Sequence, residues 1–194
     1  MWKIGMDLTV IPLRGEKKDG KFCFFDELKK ILKNSRVQIK NEDVIVISSK
    51  FISNSQGRVL EISKSKICDE AKEIAKKFNS DKNFMEIVVR ESDKIIGGVA
   101  GFVMSTTDGI LAPNAGIDKS NSKGTKIILY PNEPYKFAEE LKKKIFLELN
   151  LHVGIIIVDS RLMPARIGTT GVAIACAGIE PTKDLRGEKD LDGN

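Results

Sequence analysis

Two β-branched runs constrain the fold most: Val44-Ile45-Val46-Ile47, and the stretch at residues 153–158 that closes on Ile155-Ile156-Ile157-Val158. Continuous Val and Ile without polar alternation reads as a strand buried on both faces, so each run is expected to be a core strand. The first hands over to Ser48, Ser49 and Lys50, and the second ends abruptly in Asp159-Ser160. The end of a core strand is where polar groups leave the interior and meet a ligand.

Helical spacing fills the intervals. Phe25, Leu28, Ile31 and Leu32 recur on one stripe, with Glu27, Lys29, Lys30 and Lys33 opposite. A second helix is expected over residues 65–78, with Ile67, Ala71, Ile74, Ala75 and Phe78 inward, and a third over 83–90. Asn132 is placed to cap a further helix and Pro134 suits its first turn, while Phe137, Leu141, Ile145 and Leu149 follow at four-residue steps. Residues 8–13 read as an opening strand, and Asp108-Gly109 between two apolar runs predicts a hairpin that feeds into Asn114-Ala115-Gly116-Ile117-Asp118. With no repeat and no linker, residues 1–194 are read as one α+β unit of mixed or antiparallel sheets with packed helices and irregular functional loops.

Composition narrows the function classes. A chain of 194 residues with 41% apolar content can build a core without staples. Cys23, Cys68 and Cys176 are an odd number, far apart, with no CxxC pair, which argues against a disulfide framework and a zinc site and fits a reducing cytoplasm. The longest apolar stretch, residues 171–179, is too short to span a bilayer, and the start lacks an export pattern. The net charge of +5 is dispersed, without a dense basic run or interleaved aromatics, so nucleic-acid binding is not expected. A locally positive site for a polyanionic small molecule remains compatible.

Asp118 sits in Asn-Ala-Gly-Ile-Asp-Lys-Ser-Asn, where Asp118, Ser120 and Asn121 offer oxygens and small neighbours allow close backbone approach. By itself such a segment is first a hydrogen-bonded turn. For Asp159 and Ser160 two readings stand equal, ligation of a phosphate-bound divalent cation or the capping of a following helix. Together, Asp118 and Asp159 can converge on one hard-cation site. Lys50 and Arg166 are the cations placed nearest to phosphate, the latter just before Gly168-Thr169-Thr170-Gly171. Neither GxxxxGK[ST] nor GxGxxG occurs, so P-loop and dinucleotide folds are not supported. His152 has no triad pattern around it, and Cys176 lies in an apolar run where a cysteine is a small hydrophobe.

The ordered set of Asn114–Asn121, Ile155-Ile156-Ile157-Val158-Asp159-Ser160, the run from Arg166 to Ile174 and the closing Lys-Asp-Leu-Asp-Gly resembles the CofE family, the coenzyme F-420-0: L-glutamate ligases, over essentially the whole chain. The resemblance implies an α+β fold in an intertwined homodimer and use of GTP with Mg²⁺ or Mn²⁺, aided by a monovalent cation. It also implies a reaction joining L-glutamate to a deazaflavin precursor through an acyl phosphate. Carried over by motif, Asp118, Asp159 and Ser160 are metal ligands, and Ser49, Lys50, Asn54 and Asn121 are nucleotide contacts. Arg166 is our own candidate for a catalytic contact to substrate or phosphate.

Two departures stand out. The family has lysine and glutamate where this chain has Asn54 and Gln56, and asparagine offers hydrogen bonds without charge. The family also continues past the closing motif, whereas the sequence stops at Asn194, so a shortened ligase domain is expected. A non-catalytic homologue that binds nucleotide, metal or deazaflavin, and a related ligase for another carboxylate, are the competing expectations.

Overall fold

A computed structural model describes residues 8–16, 18, 20–62, 66–119, 126–162 and 167–188. Among them lie five α-helices and eight strands: α1 (Phe24–Ser35), β1 (Val44–Ser48), α2 (Ser49–Ser55), β2 (Val59–Glu61), α3 (Asp69–Lys77), α4 (Lys82–Glu91), β3 (Lys94–Val99), β4 (Phe102–Thr107), β5 (Ile110–Pro113), β6 (Lys126–Ile128), α5 (Pro134–Leu149), β7 (Gly154–Leu162) and β8 (Thr169–Ala177). The strands form three small sheets, ordered β1-β7-β8, β2-β6 and β3-β4-β5. The expected α+β class with mixed sheets is what the chain adopts.

β1 runs parallel to β7, pairing Val44 with Gly154 through Ser48 with Val158, and β8 returns antiparallel to β7. Helices α1, α2 and α5 cover this sheet, where Phe24, Leu28, Ile52, Ile145, Ile155, Ile157 and Ile174 make one core. α3 and α4 pack a second core of Ala71, Phe84, Met85, Val88, Val103 and Ile127 against the other strands. Each such aliphatic or aromatic side chain, fully buried, contributes about 1.5–3 kcal/mol. Ile155, with no exposure, is the kind of position where truncation to alanine costs about 2–5 kcal/mol.

The local signals explain the ends of several elements. Asp108 and Gly109 both have positive φ, 53° and 70°, the backbone that a two-residue hairpin turn between β4 and β5 requires. Asp81 accepts a hydrogen bond from the backbone N–H of Phe84 and so caps α4. Pro134 opens α5 as expected, but its N-cap is Glu133 in the left-handed region with no side-chain cap bond, not Asn132. Asn132 is occupied elsewhere: its backbone N–H and C=O both bond the side chain of Gln56.

The structure corrects four strand expectations. Residues 8–13 form no strand with any of the described residues, and Leu8 and Val10 are 88% and 77% exposed. Among the described residues, the run at β1 is buried on one face only, with Val44 and Val46 exposed and Ile47 buried, and β1 lies at the edge of the three-stranded sheet. β7 does not end at Asp159 but runs on to Leu162, so Asp159 is a mid-strand residue. The glycine-containing segment after it is itself a strand, β8, so no helix follows that Asp159 or Ser160 could cap. The second helix begins at Asp69; Ser65 lies outside the described residues.

Candidate active site

β1 ends at Ser48 in an extended conformation, and the chain turns directly into α2. The first two residues of that helix, Ser49 and Lys50, each hold an aspartate from a distant segment. The Ser49 hydroxyl donates to Asp159 Oδ1 at 2.8 Å. The Lys50 ammonium contacts Asp118 Oδ2. Consecutive residues thus bring the two predicted carboxylates to one end of the β1-β7 pair, and both carboxylate side chains are largely shielded, at 14% and 13% exposure.

Asp118 owes its place to an unusual turn. Asn114, Ala115 and Gly116 all have positive φ, and Ala115 does so while completely buried. A run of left-handed residues persists only where its surroundings over-determine it. Here the Ala115 N–H donates to Ser105 Oγ at 3.0 Å, Ser105 Oγ donates to the Ala112 carbonyl, and Asn114 Oδ1 accepts from the Val103 N–H. Asp118 then pairs with Ile128 through two backbone hydrogen bonds. A side chain at Gly116 would meet the Tyr130 ring at 2.7 Å, so the turn has room for glycine only.

On β7, Asp159 shares a face with Arg161 by strand alternation. Arg161 is 4% exposed, its Nε lies 3.6 Å from Asp159 Oδ2, and its Nη1 donates to the Leu111 carbonyl of β5. Asp159 is therefore held on both sides, by a hydroxyl and by a guanidinium. Among the described residues the buried Tyr130 hydroxyl has no hydrogen-bond partner, nor have Arg161 Nε and Nη2, so the guanidinium meets Asp159 as an ion pair without a hydrogen bond. Burial pushes the Tyr130 phenol up to about 12; the Arg161 cation opposes the shift, and the Asp108 and Asp159 carboxylates add to it.

Beside this cluster opens a cavity of about 1090 Å³, lined in part by Lys50, Phe51, Asn54 and Asp118. Its volume suits a nucleotide-sized ligand. Four lysines, Lys18, Lys21, Lys50 and Lys126, face it against three carboxylates, Glu16, Glu61 and Asp118, which gives an anion a modestly favourable field. Phe22 and Phe51 add an apolar wall, their ring centroids 5.5 Å apart.

Of the predicted residues, Ser49 meets Asp159, Lys50 meets Asp118, and Asn54 lines the cavity with Lys50 and Asp118. Ser160 is exposed and falls by alternation on the face of β7 opposite to Asp159, so its hydroxyl is not part of the convergent group. Asn121 and Arg166 lie outside the described residues, as does Ser120. His152 is exposed and stacks near Phe146, and Cys176 points its thiol at the Ile179 carbonyl, so neither joins the site. Sequence reading missed Arg161, Tyr130 and the aromatic wall. Arg161 was within reach: had the strand been extended past Asp159, position 161 would have fallen on the same face.

Among the described residues no helix is long and apolar enough to cross a membrane, and no three of His, Cys, Asp and Glu form a metal-binding group. Two carboxylates are nevertheless a hard oxygen donor set of the kind that Mg²⁺ and Mn²⁺ take, with remaining positions left to water and ligand oxygens.

The model of the family described as F420-0:Gamma-glutamyl ligase matches residues 21–194. A protein of Archaeoglobus fulgidus named Coenzyme F420:L-glutamate ligase is 32% identical over 190 residues, covering 97% of this chain and 74% of its own length. Its namesake in Methanopyrus kandleri is 28% identical over 94% of this chain and 71% of its own length. That of Methanocaldococcus jannaschii is 37% identical over 80% of this chain and 62% of its own. The chain belongs to the F420-0:Gamma-glutamyl ligase family.

Proposed function

We propose that the chain is a GTP-dependent ligase that joins L-glutamate to a deazaflavin coenzyme precursor through an acyl phosphate. The observation that carries this reading is the Lys50–Asp118 ion pair in the wall of a nucleotide-sized cavity, with the adjacent Ser49 holding the second aspartate, Asp159. Asp118 and Asp159 would hold a divalent cation, which when bound neutralises charge on the nucleotide's phosphates. Ser49 and Arg161 keep the Asp159 carboxylate in one orientation. Lys50, Lys126 and Asn54 face the cavity, where they can engage phosphate and ribose oxygens.

In the reaction the precursor's carboxylate oxygen attacks the γ-phosphorus of GTP and GDP leaves. The amine of glutamate then attacks the acyl carbon, inorganic phosphate departs, and one proton is released as the amide forms. No protein nucleophile is needed, so catalysis rests on positioning and charge stabilisation. This accounts for a site built from carboxylates, lysines and a cavity, with His152 and Cys176 elsewhere.

The test is calorimetric titration with GTP, with and without Mn²⁺, followed by incubation with deazaflavin precursor and glutamate and mass analysis. Metal-dependent binding with a product one glutamyl unit heavier supports the ligase. Binding without product would favour a non-catalytic homologue, and absence of binding would overturn the reading.

A further inference from the structure

Lys50 and Asp118 make one ion pair, and both side chains face the cavity. Resting on the metal-and-nucleotide reading above, we infer that Lys50 is an exchangeable counter-ion: a divalent cation at Asp118 displaces its ammonium, which then turns to the nucleotide's phosphates.

The exchange follows from what one carboxylate oxygen can accommodate. A hard divalent cation takes such an oxygen at about 2.0–2.2 Å and repels a neighbouring ammonium, so metal at Asp118 Oδ2 and Lys50 on the same oxygen exclude each other. The pair is shielded, with Asp118 at 14% exposure, so the competition is less screened than at an open surface. A displaced Lys50 stays in the neighbourhood, because its stem is fixed at the start of α2 beside Ser49, whose hydroxyl is bound to Asp159. With Asp118 committed to metal, Lys50 loses its carboxylate partner, and of the cavity's other lysines Lys18 is already paired with Glu27. A polyphosphate becomes the partner of choice.

Two ligands that both favour the state in which Lys50 has left Asp118 assist each other, and to the same extent in either direction. Lys50 therefore opposes metal in the absence of nucleotide and promotes it in its presence. A lysine that only touched phosphate would have no effect on metal affinity when nucleotide is absent.

The experiment measures free Mn²⁺ by electron paramagnetic resonance over the full chain, first without nucleotide and then with GTP. Lys50→Met keeps the stem and removes the charge. It is expected to tighten Mn²⁺ binding without nucleotide by about fivefold or more, and to reduce the tightening that GTP brings toward none, since coupling between sites is commonly about 5–150-fold. Lys50→Arg keeps the charge and should retain the weaker nucleotide-free affinity; Lys50→Gln serves as a second neutral variant, with thermal melts showing that each is folded. Unchanged or weaker Mn²⁺ binding in both folded neutral variants overturns the exchange. Asp118→Asn separates the two failures: if it leaves Mn²⁺ affinity intact, the metal reading itself falls and the exchange with it; if it weakens Mn²⁺ while the neutral variants change nothing, the exchange alone falls.

Discussion

The Ser49 hydroxyl is bonded to Oδ1 of Asp159, a residue 110 positions away in sequence. A hydrogen bond to a charged group is worth about 1.5–3 kcal/mol, enough to choose one rotamer of a carboxylate over the others. Ser49→Ala is expected to lower Mn²⁺-dependent GTP affinity about tenfold while leaving the fold intact. Asp159→Asn, which removes the charge at nearly constant shape, should cost more. Calorimetry with and without Mn²⁺ checks both, and an Asp159→Asn variant that binds metal and GTP like the parent would remove Asp159 from the site.

The turn that presents Asp118 depends on Ser105, whose hydroxyl serves the Ala112 carbonyl and the Ala115 N–H. Ser105→Ala leaves a buried N–H without its partner, which costs about 1–3 kcal/mol. Denaturant unfolding should show that loss, and Mn²⁺ affinity should fall with it because Asp118 follows the turn.

Much of this fold was readable residue by residue, and the failures have a common cause. The helices α1, α3, α4 and α5 and the turn at Asp108-Gly109 are local signals and formed close to where periodicity and turn chemistry placed them, though Glu27, read on the outer face of α1, is buried, Leu149 of the α5 stripe is exposed, and Ile67 lies ahead of α3. What pairs with what is not local. Residues 8–13 read as an opening strand but pair with no strand among the described residues, and β1 reads like a central strand but sits at an edge of the described sheet. For the site, Asp118 and Asp159 were visible as candidate ligands, but the Ser49–Asp159 contact depends on the parallel pairing of β1 with β7, and the Lys50–Asp118 contact on the bridge of Asp118 to Ile128. Arg161 was hidden because a polar pair in mid-strand resembled a strand end.

Gln56 closes two hydrogen bonds with the backbone of Asn132, donating from Nε2 at 3.0 Å and accepting at Oε1 at 2.8 Å. Only a carboxamide offers both halves; a carboxylate accepts but cannot donate. Gln56→Glu is expected to lower stability by about 0.5–1.5 kcal/mol, because the Asn132 carbonyl would then face a charged acceptor. Thermal melts at pH 7 test this, and they should show partial recovery where the glutamate is protonated.

Tyr130 gives the molecule a signature at high pH. Its phenol is held up to about 12 in the folded protein, against 10.0 for the ordinary group. Between those values the unfolded chain releases a proton that the folded chain keeps, so the contribution of Tyr130 to stability is complete below about pH 10 and is lost as pH rises towards 12. Tyr130→Phe lacks that loss and also removes a buried hydroxyl without a partner. The variant should be at least as stable as the parent at pH 7, and its advantage in unfolding free energy should grow from pH 10 to 12.

The parallel pairing of β1 and β7 also sets the order in which the protein can be made. β1 and α2 leave the ribosome early, but the strand that carries Asp159 follows only after α5. The Ser49–Asp159 contact therefore spans a long loop, whose closure has to precede it. Until then the nascent chain has Ser49 without the Asp159 carboxylate that its hydroxyl bonds in the folded protein.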